Sequence, residues 1–286
     1  MITDTLGSQQ WITNLDQLKL LRSKAEDPNF RKLWMSIKQE NKIRLAKYIE
    51  STCGIVVNEH ALFDIQVKRI HEYKRQFMNI LGVIHRYITL KTMSAGELAQ
   101  MVPRVVIFGG KAAPGYYIAK LVIQLINAVA VVINKDSQTN KYLQLVFIPD
   151  YNVSNAEIIV PASDLSEHIS TAGTEASGTS NMKFVLNGGL IIGTLDGANI
   201  EIREEIGDDN MFIFGCKAHE VDNLRHAYRY KKLGMNGKLE KVLNVIRDGR
   251  FCDAEAITPL LDTLTIGGDH YLISHDFDSC KIACNY

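Results

Sequence analysis

The sequence predicts an α/β fold in which a parallel sheet is covered by helices on both faces. Three observations carry that expectation. Val105 to Phe108, Leu143 to Ile148, Leu190 to Thr194 and Met211 to Phe214 are short apolar runs that lack the alternation of a half-solvated strand. Segments with helical spacing separate them. Turn-forming residues close the runs, Gly109-Gly110 after the first and Pro149-Asp150 after the second.

The elements follow in order. Residues 14 to 50 read as helices, because Leu15, Leu18 and Leu21, then Phe30, Leu33, Trp34 and Ile37, recur at helical spacing around Asp27-Pro28. Ile55 to Phe63 reads as a link. A long amphipathic helix is expected next, N-capped by Asp64, with Ile70, Tyr73, Phe77, Ile80, Leu81, Ile84, Tyr87 and Ile88 on one face. An apolar helix is expected from about Tyr116 to Val132, and helices from about 217 to 248 complete the series. The whole reads as a doubly wound, Rossmann-like domain over 64–286, with 1–63 as a helical lead-in packed on it. In such sheets ligands bind beyond the carboxyl ends of the strands, so the turns at Gly109-Gly110, Asp150-Tyr151 and Thr194–Asp196 are expected to gather on one edge.

Composition narrows the partners. With 46% hydrophobic and 22% charged residues among 286, the chain is globular rather than disordered. Lys+Arg and Asp+Glu both total 32, so net charge favours neither a nucleic-acid nor a membrane partner, and an anion site must come from local clustering. Cys53, Cys216, Cys252, Cys280 and Cys284 are odd in number without a CxxC pair, which argues against a disulfide framework and a zinc site. They read as buried or incidental thiols in a reducing compartment. No basic flank and apolar core of a signal peptide open the sequence, and the longest apolar run, Leu121 to Ile133, is short for a bilayer span and interrupted by Gln124 and Asn127. A soluble, cytoplasmic chain is the expectation.

Three segments carry chemistry. GGKAAPG at 109–115 can present backbone N–H groups to a phosphate, but it matches neither GxGxxG nor a Walker loop, and a structural tight turn explains it equally well. VKRIHEYKR at 67–75 holds Lys68, Arg69, Lys74 and Arg75 within eight positions. A charge run is usually a solvated helix end, yet the apolar face beside this one must dock on the domain, which favours a buried anion site. The strongest segment is STAGTEASGTSNMKFVLN at 170–187. Its small residues let the backbone approach a ligand, Gly178 suits a tight helix entry, and Thr179 and Lys183 stand one helical turn apart. A phosphate held at that helix start, with an aldehyde in reach of the Lys183 amine, is the geometry that suits pyridoxal 5′-phosphate (PLP). By spacing alone, a surface lysine near a helix start remains open.

The full strings decide between these readings. EASGTSNMKF at 175–184, preceded by ISTAGT and followed by GGLIIGTLDGANIE, is similar to the PLP signature of glycogen and starch phosphorylases. FDIQVKRIHEYKRQ at 63–76, GGKAAPGY at 109–116 and YNVSNAE at 151–157 resemble the same family in the same order. The resemblance covers nearly the whole chain and thins after about Gly215.

The resemblance implies the second lobe of a two-lobed GT-B type glycosyltransferase, with the active site in the cleft between lobes. It implies transfer of a glucosyl unit from an α-1,4-glucan to inorganic phosphate, giving α-glucose 1-phosphate with retention, and a PLP whose 5′-phosphate works as acid and base. Position by position, Lys183 would hold PLP, with Gly178, Thr179 and Ser180 at its phosphate and Tyr151 beside it. Lys68, Arg69 and Lys74 would bracket the two phosphates. Glu175, Ser177 and Gly178 would meet glucose hydroxyls, with Tyr73 near. Tyr116 matches an aromatic at the cleft entrance, or packs. Relatives carry a preceding lobe of several hundred residues that supplies further phosphate, sugar and glucan contacts, and they are commonly homodimers. The expectation is therefore an enzyme lobe that is inactive alone. The alternative is a non-catalytic PLP-binding or interaction module derived from the same family.

Overall fold

The computed structural model describes residues 1–283. The chain opens with a short helix, α1 (Ile2–Leu6), and a 3-10 stretch over Leu15–Lys24. Asp27 then accepts the backbone N–H groups of Asn29 and Phe30, and Pro28 fills the first turn, which starts α2 (Pro28–Cys53). Gly54 ends that helix in the left-handed conformation. The remaining elements are β1 (Leu62–Val67), α3 (Gln76–Leu90), α4 (Ala95–Ala99), β2 (Arg104–Gly109), α5 (Tyr117–Lys135), β3 (Leu143–Ile148), α6 (Val153–Ile159), β4 (Leu165–His168), α7 (Ser180–Leu186), β5 (Leu190–Gly193), α8 (Asn199–Ile206), β6 (Phe212–Ile213), α9 (Val221–Arg229), α10 (Gly237–Arg247), α11 (Ala254–Thr265) and α12 (Ile273–Ala283).

All six strands are parallel, in the order β3-β2-β1-β4-β5-β6. This is the order of a doubly wound sheet, whose direction of growth reverses between β1 and β4. Two cores cover its faces. On one, Val106, Phe108, Leu143 and Leu145 pack under α3, α5, α10 and α11. On the other, Phe63, Ile65, Val105, Ile107, Val146 and Ile148 pack with Leu45 and Ile49 of α2 and Phe184 of α7. Two lysines help to dock α2: Lys42 Nζ donates to the Ala61 carbonyl at 2.6 Å and to Asp164 Oδ2 at 2.7 Å, and Lys38 Nζ donates to the Asn187 carbonyl at 3.3 Å.

Several expectations need correction. The helix expected from Asp64 begins only at Gln76, and residues 62–67 form the central strand β1. Asp64 is therefore not an N-cap: it is buried in β1 and paired with Arg104 at 2.9 Å. Burial raises its pKa, and Arg104 opposes that shift. Lys68 and Arg69 accordingly sit just past a strand end, not in a first helical turn. Arg75, at φ 56° in the left-handed region, separates the 3-10 turn Glu72–Lys74 from α3. The polar strand β4 is also absent from the sequence reading. Its Ser166, Glu167 and His168 are all buried.

The expected run at 121–133 lies within a longer helix, α5, which by length and composition alone is long and apolar enough to cross a membrane. Its buried face, including Leu121, Leu125, Ile126, Val129 and Ile133, packs into the main core instead. Cys53, Cys216, Cys252 and Cys280 take part in no disulfide among the described residues, with Cys216 and Cys280 buried, while Cys284 lies outside the described residues. Among the described residues there is no group of three or more His, Cys, Asp or Glu side chains able to hold a metal.

Candidate active site

A cavity of about 640 Å³ opens beyond the carboxyl ends of β1 and β4, where the sheet order reverses. Successive strand ends build its wall. Lys68 and Arg69 follow β1, Lys111 follows β2, Tyr151 follows β3, His168 ends β4 and Asp196 follows β5. Tyr73 and Lys74 come from the 3-10 turn before α3; Glu175, Ser177, Gly178 and Thr179 from the loop after β4; and Ser180 and Lys183 from α7. Apart from Tyr116, every site residue expected from the sequence thus lines one cavity. The three turns expected on one edge contribute Lys111, Tyr151 and Asp196.

The Gly109-Gly110 turn has a steric origin. A Cβ on Gly110 would lie 2.1 Å from the Lys68 carbonyl oxygen, so glycine lets this turn close onto the end of β1. Tyr116 does not line the cavity. Its hydroxyl donates to Glu72 Oε2 at 2.6 Å and accepts the Glu72 N–H at 3.2 Å.

The cavity-lining loop at 170–179 is held from behind by the turn after β5, residues 194–199. Asp196 Oδ1 accepts the Gly173 N–H at 2.9 Å, and Oδ2 accepts the Ser170 hydroxyl at 2.7 Å and the Glu175 N–H at 2.9 Å. The Ala198 N–H donates to the Ser177 carbonyl at 2.7 Å. Asn199 Nδ2 donates to the carbonyls of His168 and Thr194, each at 3.0 Å, and Asn199 Oδ1 accepts Asn181 Nδ2 at 3.0 Å. Arg75 completes the support, donating to the carbonyls of Ile169 at 2.6 Å, Ser170 at 3.2 Å and Tyr271 at 3.3 Å and pairing with Asp276 at 2.6 Å. Gly178 leaves the loop at φ 82°, and α7 begins immediately afterwards at Ser180.

The site is cationic and partly buried. Lys74 pairs with Glu175 and lies 4.6 Å over the Tyr73 ring. Lys68 Nζ lies 3.2 Å from His168 Nδ1. Burial, then the neighbouring Lys74 charge, pushes the Lys68 amine down to about 7, against the pull of Glu175 and Glu167. The same burial, with Lys68 and Lys74 beside it, holds the His168 ring well below the usual histidine range. Burial raises the Tyr151 phenol. Arg69 and Lys183 are exposed at the cavity wall. Cations at one end, loop and helix-start amides at another and an amine on the adjoining turn can hold an anionic ligand while presenting a nucleophilic nitrogen.

Sequence reasoning passed over Asp196, Asn199, His168 and the structural part of Arg75. Asp196 and Asn199 had a readable signal, because LDGAN directly follows an apolar run. The other two act through partners far away in sequence. A second cavity of about 440 Å³, lined by Asp64, Arg104, His85 and Lys281 among others, lies between α3, α12 and the amino ends of β1 and β2, away from these residues.

Comparison with known proteins gives a consistent result. The carbohydrate phosphorylase family matches residues 1–284. The chain is 55% identical over 279 residues to glycogen phosphorylase 2 of Dictyostelium discoideum, an alignment covering 98% of this chain and 28% of that protein. It is 50% identical to glycogen phosphorylase of Saccharomyces cerevisiae, covering 98% and 33%. It is 49% identical to the cytosolic α-glucan phosphorylase 2 of Arabidopsis thaliana, covering 98% and 34%. The chain therefore spans about a third of the length of the curated relatives it matches.

Proposed function

This chain belongs to the carbohydrate phosphorylase family, and we propose that it is the PLP-carrying lobe of an α-glucan phosphorylase, working in the cytosol. The observation that supports this most is the meeting of Lys68, Arg69, Lys74 and Lys183 with the Gly178–Ser180 segment around one cavity. The reaction would move a glucosyl unit from an α-1,4-glucan to inorganic phosphate and yield α-glucose 1-phosphate.

The residues present fit the cofactor. Lys183 would offer an amine for its aldehyde, Tyr151 a ring beside it, and Gly178, Thr179 and Ser180 backbone N–H groups for its phosphate. When bound, PLP would supply its 5′-phosphate as proton donor and acceptor beside the substrate phosphate.

The chain's own groups would do the rest. Two phosphates in contact repel strongly, so a site holding both needs fixed cations, and Lys68, Arg69 and Lys74 would supply them. Glu175, held in position by Lys74 and Asp196, would accept from sugar hydroxyls, with Ser177 and Tyr73 beside it. The partial burial of Lys68 and Lys74 would exclude water and strengthen their hold on the anions. The remaining sugar and glucan contacts would come from the further sequence that the relatives carry, so this chain alone would release no glucose 1-phosphate.

The test is complementation. The chain would be combined with a first-lobe polypeptide of a phosphorylase and assayed for glucose 1-phosphate from glycogen and phosphate. Activity is expected with the native chain and is lost, by more than about 10³-fold, with Lys183→Ala. No activity in the combination, from lobes shown to associate, would favour a non-catalytic module instead.

A further inference from the structure

We propose that His168 is a positioning residue which aims the Lys68 amine into the cavity, so that a tetrahedral dianion binds there together with a proton. This inference rests on reading the cavity as a phosphate site. It adds a residue to it and a proton stoichiometry.

The geometry begins with how the cations are partnered. Lys74 is paired with Glu175 and Lys111 with Asp150, whereas Lys68 Nζ meets a ring nitrogen, His168 Nδ1, at 3.2 Å. That ring is fixed on two further sides. Its Nε2 lies 3.0 Å from Ser166 Oγ, whose own hydroxyl donates to the Leu190 carbonyl at 3.3 Å. Ser166 must therefore accept from Nε2–H, which leaves the Nδ1 lone pair facing Lys68. Phe184 packs against the ring edge-on, with centroids 5.7 Å apart. The ring is buried at the end of β4, and Lys68 is the first residue after β1, so the contact bridges the two strands at the point where the sheet order reverses.

The charges around this pair set its behaviour. Lys74 faces it from the turn before α3, Glu167 from β4 and Glu175 from the loop after β4. Arg69, Lys111, Lys183 and Asp196, with the phenols of Tyr73 and Tyr151, line the same cavity. Burial and Lys74 lower the Lys68 amine to about 7, and the neutral ring can accept from its ammonium but cannot neutralise it. Near neutral pH the Lys68 amine is then held in both its charged and its uncharged form. A dianion beside Nζ favours the ammonium, so its arrival draws in a proton. Lys68 is raised on binding from about 7, so affinity is greatest below pH 7 and declines as pH rises above it.

Inorganic sulfate is a suitable probe, because it stays a dianion throughout the range. Isothermal titration of the whole chain with sulfate between pH 6.5 and 8.5, in two buffers of different ionisation enthalpy, reads both Kd and protons taken up. The expected Kd rises on the order of tenfold between pH 7 and 8.5, with uptake approaching one proton at pH 8. Lys68→Met should abolish that slope. His168→Gln, which retains an acceptor, should keep it, and His168→Leu, which removes it, should weaken binding several-fold and flatten the slope. A sulfate affinity independent of pH in the native chain, or identical slopes for the native chain and a folded His168→Leu variant, would overturn the proposal. Should His168→Leu fail to fold by circular dichroism, the native proton count and Lys68→Met still decide. Labelling of Lys183 by PLP and borohydride, run alongside, separates the two readings. Labelling without a pH slope sinks only this inference, and neither labelling nor sulfate binding sinks both.

Discussion

Asp196 Oδ2 accepts the backbone N–H of Glu175 at 2.9 Å, linking the turn after β5 to the loop that carries the Glu175 carboxylate into the cavity wall. Asp196 is buried, and its two oxygens together take three donors from that loop. The cavity wall is thus shaped by a residue that also lines it, and one carboxylate ties the loop at three points.

Asp196→Asn should keep the fold and loosen the loop. One oxygen becomes an NH₂ group that faces donors, so a loss of about 1–3 kcal/mol in unfolding free energy is expected. Hydrogen exchange at the Gly173 and Glu175 amides should accelerate more than exchange in β1. Unchanged protection at those two amides would count against the role assigned to Asp196.

Gly197→Ala should be far more harmful than Gly115→Ala. Gly197 sits at φ 51°, and a Cβ there would lie 2.5 Å from the Ser177 carbonyl oxygen, whereas a Cβ at Gly115 meets nothing within 4 Å. Left-handed strain and the clash together should cost more than about 2 kcal/mol at Gly197, against about 0.5 kcal/mol or less at Gly115. Urea unfolding of the two variants checks the contrast.

Lys42→Met should loosen the middle of α2 from the segments that lead into the central strands β1 and β4. It removes the donor to Ala61 and leaves Asp164, which also accepts the Phe63 N–H at 2.8 Å, with one partner fewer. Water reaches Asp164, so the expected loss is about 1–3 kcal/mol rather than the larger cost of a fully buried pair. A double-mutant cycle with Asp164→Asn should return a coupling above about 0.5 kcal/mol.

Acid should act partly through His85. Burial, followed by the Lys281 charge at 2.7 Å from Nε2, lowers this ring to about 4. The unfolded ring takes a proton below about 6.5 and the folded ring only below about 4, so stability falls as pH drops through that window. Allowing for solvent access, the gap in unfolding free energy between the native chain and His85→Gln should narrow by about 1–2 kcal/mol between pH 7.5 and pH 5. A constant gap would show that His85 does not titrate differently in the two states.

The legible parts of the fold were those with uniform surroundings. VVIF, LQLVFI and LIIG read as strands because apolar cores press on both faces. β1 did not, because Asp64 and Gln66 alternate with its apolar residues. Inside the fold Asp64 Oδ2 meets Arg104 and Gln66 Oε1 meets Asn79, residues that no local pattern identifies. β4 was hidden for the same reason, since Ser166 and His168 are bonded inward to Leu190 and Lys68. The expected helix over 64–88 was wrong at its start because Arg75 takes a left-handed conformation, with its guanidinium bound to carbonyls nearly a hundred residues or more away. The cavity-lining strings were legible because they are contiguous. Among their supports, Asp196 and Asn199 stand in the readable string LDGAN although their bonds to the 170–181 segment are not written there, and His168 was hidden because its partner Lys68 is a hundred residues away.

The central claim is that this chain builds a PLP pocket around Lys183, and reductive labelling tests it most directly. The chain would be incubated with PLP, reduced with borohydride, and digested for peptide mapping by mass. Selective modification of Lys183, suppressed by excess inorganic phosphate and by Lys68→Met, is the predicted result. Modification spread over the surface lysines, with Lys183 no more reactive than Lys231 or Lys232, would contradict it.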